Sequence, residues 1–199
     1  MRIVVVALVL TGAVAIATAV NDLGDAGNAL TTIDMIPTRQ QLDNAFAKEK
    51  LIPLATLIEL ATTDDTSRDG IAIRLRAIHA LAKYCNPTPC TASDPVHQAV
   101  ASVVPATQNA ATGSSVLLLR AAVETLGIMR VSTDVNTLIP LLDHPSRDIR
   151  AATARALRDL CNTQAITPLR TRYSGELTDQ VKLAISEALR ILGQCSANP

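Results

Sequence analysis

The stretch from Arg147 to Cys161, RDIRAATARALRDLC, sets Ile149, Thr153, Ala156, Leu157 and Leu160 at steps of four, three, one and three. On a 3.6-residue helix these positions share one face, so the pattern predicts an amphipathic helix. A shorter apolar cluster, TLIPLLD, precedes it, with Pro140 inside the cluster and the polar joint HPS after it. Two short helices joined so tightly form a hairpin too small to hide its own apolar side.

The same pattern recurs along the chain. The segments IAIRLRAIHALAKYC (71–85), VLLLRAAVETLGIMR (116–130) and DQVKLAISEALRILG (179–193) align with the first on Leu81, Leu126, Leu157 and Leu189. Eight positions before these anchors stand Ile73, Leu118, Ile149 and Val181, and three after stand Tyr84, Met129, Leu160 and Leu192. Seven before are Arg74, Leu119, Arg150 and Lys182, so a basic residue holds that place in three of four. The apolar cluster preceding each helix carries a proline: Pro53, Pro105, Pro140 and Pro168. Proline removes one helical hydrogen bond and bends the axis, so the four read as a geometric habit of the repeat. Asp94 with Pro95, Ser146 and Thr178 stand where helix caps are expected. Thr38 and Gln41 have the spacing of a capping box, which predicts one more short helix before the first pair. No segment keeps a period of two, so strands are not expected.

A repeated hairpin buries its apolar side against the hairpins before and after it. The expected fold is therefore all-α: a solenoid of about four antiparallel helix pairs with an N-terminal capping helix. Pro140 followed by LLDHPSRDIRAATARALRDL resembles a HEAT repeat, of the short HEAT-like type also found in phycobilisome lyases. The resemblance covers about residues 50–193 and is strongest over 133–193. It implies a concave face that binds other macromolecules. It also implies that Arg150 and its equivalents Arg74 and Lys182 pair with an acidic residue near the joint. Two departures stand out: Leu119 at the basic position, and a longer spacing between the first two anchors that includes CNPTPCTASD.

Composition narrows the possible partners. Of 199 residues, 48% are hydrophobic but only 2% are aromatic, so the core must be built from Leu, Ile, Val and Ala. Lys plus Arg and Asp plus Glu are equal at 18 each, so no bulk charge draws the chain to nucleic acid or an anionic surface. The scarcity of aromatics argues against base- or sugar-stacking platforms. The expected partner is another protein.

The N-terminus reads as a targeting segment. In MRIVVVALVLTGAVAIATAV, Arg2 is followed by an apolar run that ends in Ala17-Thr18-Ala19, a pattern cut after Ala19. An uncleaved anchor is the alternative. The organisation expected is a signal peptide over 1–19, a flexible leader over 20–36, the solenoid over 37–195 and a tail over 196–199. The protein would be exported, periplasmic or extracellular, and free of the membrane once cut.

Export changes how Cys85, Cys90, Cys161 and Cys195 read. In an oxidising compartment four cysteines suggest disulfides. Zinc is disfavoured because CNPTPC is a single C-x4-C with no second close pair or nearby histidine. Sequence alone leaves three connectivities. In a solenoid, neighbouring helices lie roughly 10 Å apart, and a disulfide needs Cα atoms within about 7 Å. Cys85 and Cys161 fall on the first and third repeats, out of reach of each other. Cys161 and Cys195 lie at the same ends of adjacent helices, with Cys195 on a mobile tail, and the turn NPTP allows Cys85 to meet Cys90. The expected pairs are Cys85–Cys90 and Cys161–Cys195.

No catalytic constellation is apparent. His79 is expected on the exposed side of its helix and His144 in a joint, and neither has a carboxylate or cysteine at a metal-binding or nucleophilic spacing. TTDDTSRDG lacks the oxygen-ligand spacing of a calcium loop, and TGSSV reads as a turn and helix cap. No catalytic residue, metal or cofactor is expected. Two positions before the anchors, His79, Glu124, Arg155 and Glu187 form a row expected on the inner surface. With Lys83, Arg158, Asp159 and Arg190 it makes the candidate protein-binding face; a merely solvated face is the alternative. The function expected is an exported, non-enzymatic protein–protein interaction scaffold. The alternative is an accessory subunit or lyase-like enzyme sharing the repeat.

Overall fold

A computed structural model describes residues 23–31, 37–85 and 90–195. The expected signal peptide and the tail 196–199 lie outside the described residues. Among those described, every regular element is helical, and no helix is long and apolar enough to cross a membrane. The chain divides into two compact units, Met1–Pro53 and Leu54–Pro199.

Within the leader expected over 20–36, the described residues Gly24–Thr31 form a helix. Helix α1 (Gly24–Thr31) packs on α2 (Arg39–Lys48). Leu23, Ala26 and Leu30, at helical spacing, are buried, as are Leu42 and Phe46 of α2. The Lys48 ammonium lies 2.9 Å from the Asp25 carboxylate, and Glu49 accepts the Asp25 N–H at 2.8 Å. The capping box forms as the spacing predicts: Thr38 Oγ1 accepts from Gln41 N, and Gln41 Oε1 accepts from Thr38 N. This helix belongs to the first unit, so the boundary expected at residue 37 falls after Pro53 instead.

The second unit is the solenoid of four antiparallel pairs: α3 (Pro53–Thr62) with α4 (Arg68–Leu81), α5 (Pro95–Thr107) with α6 (Ser114–Met129), α7 (Val135–Leu138) with α8 (Arg147–Leu160), and α9 (Ile166–Gly175) with α10 (Asp179–Cys195). The later helix of each pair stacks on its counterpart, α4 on α6, α6 on α8 and α8 on α10, and the last two junctions are the most extensive. The anchors explain this. Leu81, Leu126 and Leu157 are fully buried, together with Ile149, Val181 and Leu192. Burying one such side chain contributes about 1.5–3 kcal/mol.

Small residues set how closely the helices approach. A Cβ added to Gly127 of α6 would stand 2.8 Å from the Ala156 Cα and 3.0 Å from its Cβ on α8. That approach leaves room for glycine alone at position 127. Ala151, Ala152 and Ala154 of α8 are likewise buried.

The prolines do not share one structural place, which corrects the idea of a common habit. Pro53 opens α3, Pro105 lies inside α5, and Pro168 sits in the first turn of α9. Pro140 follows the point where α7 tightens into a 3-10 turn over Ile139–Asp143. Without an N–H it cannot bond the carbonyl four residues back, so an α-helix does not continue through it. At helix starts the missing N–H costs nothing.

The joints cap their helices in a way the sequence did not announce. Asp94 and Ser146 occupy N-cap positions, yet neither side chain caps its helix. In three joints it is the side chain two residues earlier that accepts the N–H of the residue before the helix. Asp65 takes Ser67 N at 2.8 Å, His144 Nδ1 takes Ser146 N at 3.0 Å, and Glu176 Oε1 takes Thr178 N at 2.9 Å.

Candidate functional site

The strongest polar constellation lies between the third and fourth repeats. Arg150 of α8 donates Nε to Glu176 Oε2 at 2.7 Å and Nη2 to Oε1 at 3.0 Å, a two-point grip on the carboxylate. Its Nη1 donates to the carbonyls of His144 and Pro145, both at 2.9 Å. Glu176 also accepts from Arg172 and from the N–H groups of Leu177 and Thr178. The carboxylate is buried, and the Arg150 guanidinium beside it holds its pKa well below the usual carboxylate range. Arg150 on Glu176, and Arg172 on Asp143 at 3.1 Å, fasten one joint to the next, which makes this a structural clasp. The acidic partner expected for Arg150 is thus Glu176, 26 residues on. Arg74 takes a different partner, donating Nε to the Ala61 carbonyl at 3.0 Å.

A second buried pair was not foreseen. His97 Nε2, at the start of α5, lies 2.9 Å from both oxygens of Asp134, just before α7. Burial pushes the Asp134 carboxyl up, and the bond to His97 opposes that. The two residues are 37 apart, so no local spacing signals the pair.

His79, expected on the exposed side of its helix, and His144, expected in a joint, are both covered. His144 is buried because its ring turns inward to accept the Ser146 N–H. His79 is half-buried: Nδ1 lies 3.3 Å from Oγ1 of the buried Thr125 on α6, and burial lowers the imidazole pKa, with the Glu124 charge opposing. Stacking of α4 on α6 is what covers it.

The row of candidate contact residues spans α4, α6, α8 and α10. Arg158 joins three of them, donating Nε to Asp159 at 2.7 Å and Nη1 to Glu187 at 3.1 Å, and so couples α8 to α10. Glu124 accepts from Arg120 at 2.8 Å and acts electrostatically on His79. Lys83, Arg155 and Arg190 enter none of the ion pairs found among the described residues.

Apolar members of this surface escaped the sequence reading. Leu117, Arg120, Glu124 and Ile128 follow at steps of three, four and four, one face of α6. Leu117 is 52% exposed and Ile128 59%, and Leu183 on α10 is 71% exposed. These values place large aliphatic side chains among the charges. Applying the helical period to the outward side as well as the buried one would have found them.

Helix pairs stacked in this way define an α-solenoid. Residues 103–190 match the family model of HEAT repeats. No curated protein and no solved structure matches the chain. HEAT repeats are a protein-interaction kind of module, so the fold points to a binding scaffold.

Proposed function

We propose that this protein is an exported, non-enzymatic scaffold that binds another protein on the solvent-exposed ridge of α4, α6, α8 and α10. The observation that carries this reading is the ridge itself, where Leu117, Ile128 and Leu183 stand exposed between the Arg120–Glu124 and Arg158–Glu187 pairs. Aliphatic anchors ringed by charge suit a protein partner, because burial of the former supplies affinity and the latter fix register. The polar clusters of the interior are engaged in holding repeats together, which supports a binding role over a catalytic one. Export is supported by the N-terminal apolar run ending in Ala17-Thr18-Ala19 and by two cysteine pairs in disulfide geometry, which suit an oxidising compartment.

The test is a pull-down from envelope extract with the mature chain and with a variant carrying Glu124→Arg, Arg155→Glu and Glu187→Arg. Exposed ion pairs are worth only about 0–1 kcal/mol each, so the variant should stay folded by circular dichroism. A stoichiometric protein partner retained by the native chain and lost by the variant is the expected result. Partner retention by the variant would move the site off this ridge. Turnover of a co-purified small molecule would favour the accessory-enzyme reading. Mass spectrometry of exported protein should begin at Val20; an intact Met1 in the membrane fraction would establish an anchor.

A further inference from the structure

The junctions of α6 with α8 and of α8 with α10 use the same stripe of the earlier partner. On α6 it runs Arg120, Val123, Gly127, and on α8 Ala151, Ala154, Arg158, Cys161. Steps of three and four keep these positions on one face. Gly127 meets Ala156 of α8. Ala151 and Ala154 are buried, Arg158 reaches Glu187 of α10 at 3.1 Å, and Cys161 is bridged to Cys195 with Cα atoms 5.7 Å apart. Cys195 is the last residue of α10, so the helix itself delivers the sulfur, where a mobile tail was expected. The stripe is thus the face each later helix turns to the next repeat.

On α10 the matching positions are Leu183, Ser186 and Arg190, with Asp179 one turn earlier on the same face. All four are exposed, and no further repeat covers them among the described residues. The anchors show the same vacancy of neighbours. Leu81, Leu126 and Leu157 are fully buried, whereas Leu189 of α10 is only half-buried. A terminal repeat needs a polar outer side to stand alone in water, yet Leu183, 71% exposed, sits in the middle of this one. The charges indicate what fits it. Asp179 stands at one end of the stripe and Arg190 at the other, and neither enters an ion pair found among the described residues. A copy of the same helix laid antiparallel sets Asp179 against Arg190 at both ends. At the centre it sets Leu183 against the short side chain of Ser186. Laid parallel, it would oppose like charges.

We propose that α10 docks on α10 of a second copy of this chain, tail to tail, as an antiparallel two-fold pair built on Asp179, Leu183, Ser186 and Arg190. The pair continues the row of later helices by one more, reversed in direction, and so covers the face that α8 covers with α10. A two-fold contact uses the same patch on both copies and closes on itself, so association stops at the dimer. Burial of Leu183 supplies affinity, and the two end pairs set register and direction. Leu183 and Arg190 lie where this face borders the ridge, but the dimer forms without any partner bound there.

Sedimentation velocity of the purified chain over a range of concentrations tests the pairing. Asp179→Arg and Arg190→Asp are measured singly, combined in one chain, and as a mixture of the two single variants. Both sites are exposed, so each variant should keep the native circular dichroism spectrum. The native chain should sediment with twice the mass of one chain. Each single variant alone should be monomeric, because like charges meet at both ends. The combined variant should regain the dimer, since its ends match again, and the mixture should give a heterodimer. A native chain that stays monomeric, a single variant that still dimerises, or a combined variant and mixture that both stay monomeric would overturn the proposal. Growth beyond the dimer would also overturn it, by showing head-to-tail stacking. The ridge variant used in the pull-down keeps Asp179, Leu183 and Arg190, so a dimer that captures no partner would sink the scaffold reading alone.

Discussion

Glu176 shows how much one side chain can carry. It is buried, gripped at two points by Arg150, and further bonded by Arg172 and two backbone N–H groups. Because its folded pKa lies below the ordinary 4.5, the unfolded chain binds the extra proton. The stability it contributes is thus full above about pH 4.5 and is lost as the pH falls through the folded pKa. Thermal unfolding followed across pH 7 to 2 should show a midpoint that declines below pH 4.5. Glu176→Gln should lose about 3–5 kcal/mol at pH 7, the cost of leaving a buried guanidinium without its counter-charge, and should flatten the acid limb. An unchanged acid limb in the variant would mean that another carboxylate controls it. His79 gives a smaller signal of opposite origin. Burial disfavours its charged form, so its imidazole should titrate below 6.5 by NMR, and the stability it adds should fade as the pH drops below that value.

At the scale of elements, the junction of α6 with α8 is where geometry is least forgiving. Gly127→Ala improves helix propensity by about 1 kcal/mol, but the new methyl meets backbone, the Ala156 Cα, at 2.8 Å. Overpacking of this kind costs about 1–3 kcal/mol. Because the obstacle is main chain and cannot rotate away, the helices must part and net destabilisation is expected. Denaturant titration should place the Gly127→Ala midpoint below that of the native chain. Ala156→Gly in the same background should recover part of the loss, since the two sites are in contact and cannot be additive. A stabilised Gly127→Ala protein would show that the junction yields more easily than the structure implies.

For the whole molecule, the solenoid's stability is approximately a sum over neighbouring repeats. The most extensive junctions, α6 with α8 and α8 with α10, lie in the C-terminal half of the second unit. The clasp of Arg150 on Glu176 and the Cys161–Cys195 bridge reinforce the same half. A chain starting at Ile52 should therefore keep a helical spectrum and a cooperative thermal transition, because the second compact unit begins at Leu54. Loss of that transition by circular dichroism would show that the repeats depend on α1 and α2.

The helical class, the repeat and the anchors were legible because a 3.6-residue apolar period is a local property of the chain. Ile149, Leu157 and Leu160 reveal their face without knowledge of what covers it. Both cysteine pairings were reached from the same repeat, with the added geometry of stacked helices. What escaped depended on contacts between residues distant in sequence. Residues 23–31 looked patternless because α1 is short and its burial depends on α2. His97 meets Asp134 only because the fold brings the start of α5 to the turn before α7, 37 residues on, and His79 is covered only because α4 stacks on α6. Leu117, Ile128 and Leu183 stand outward because the opposite sides of their helices are already occupied. The sequence by itself determined which residues seek burial. Only the tertiary structure decided which of the others would be enclosed with them, since desolvation depends on every neighbour at once and no spacing along the chain encodes it.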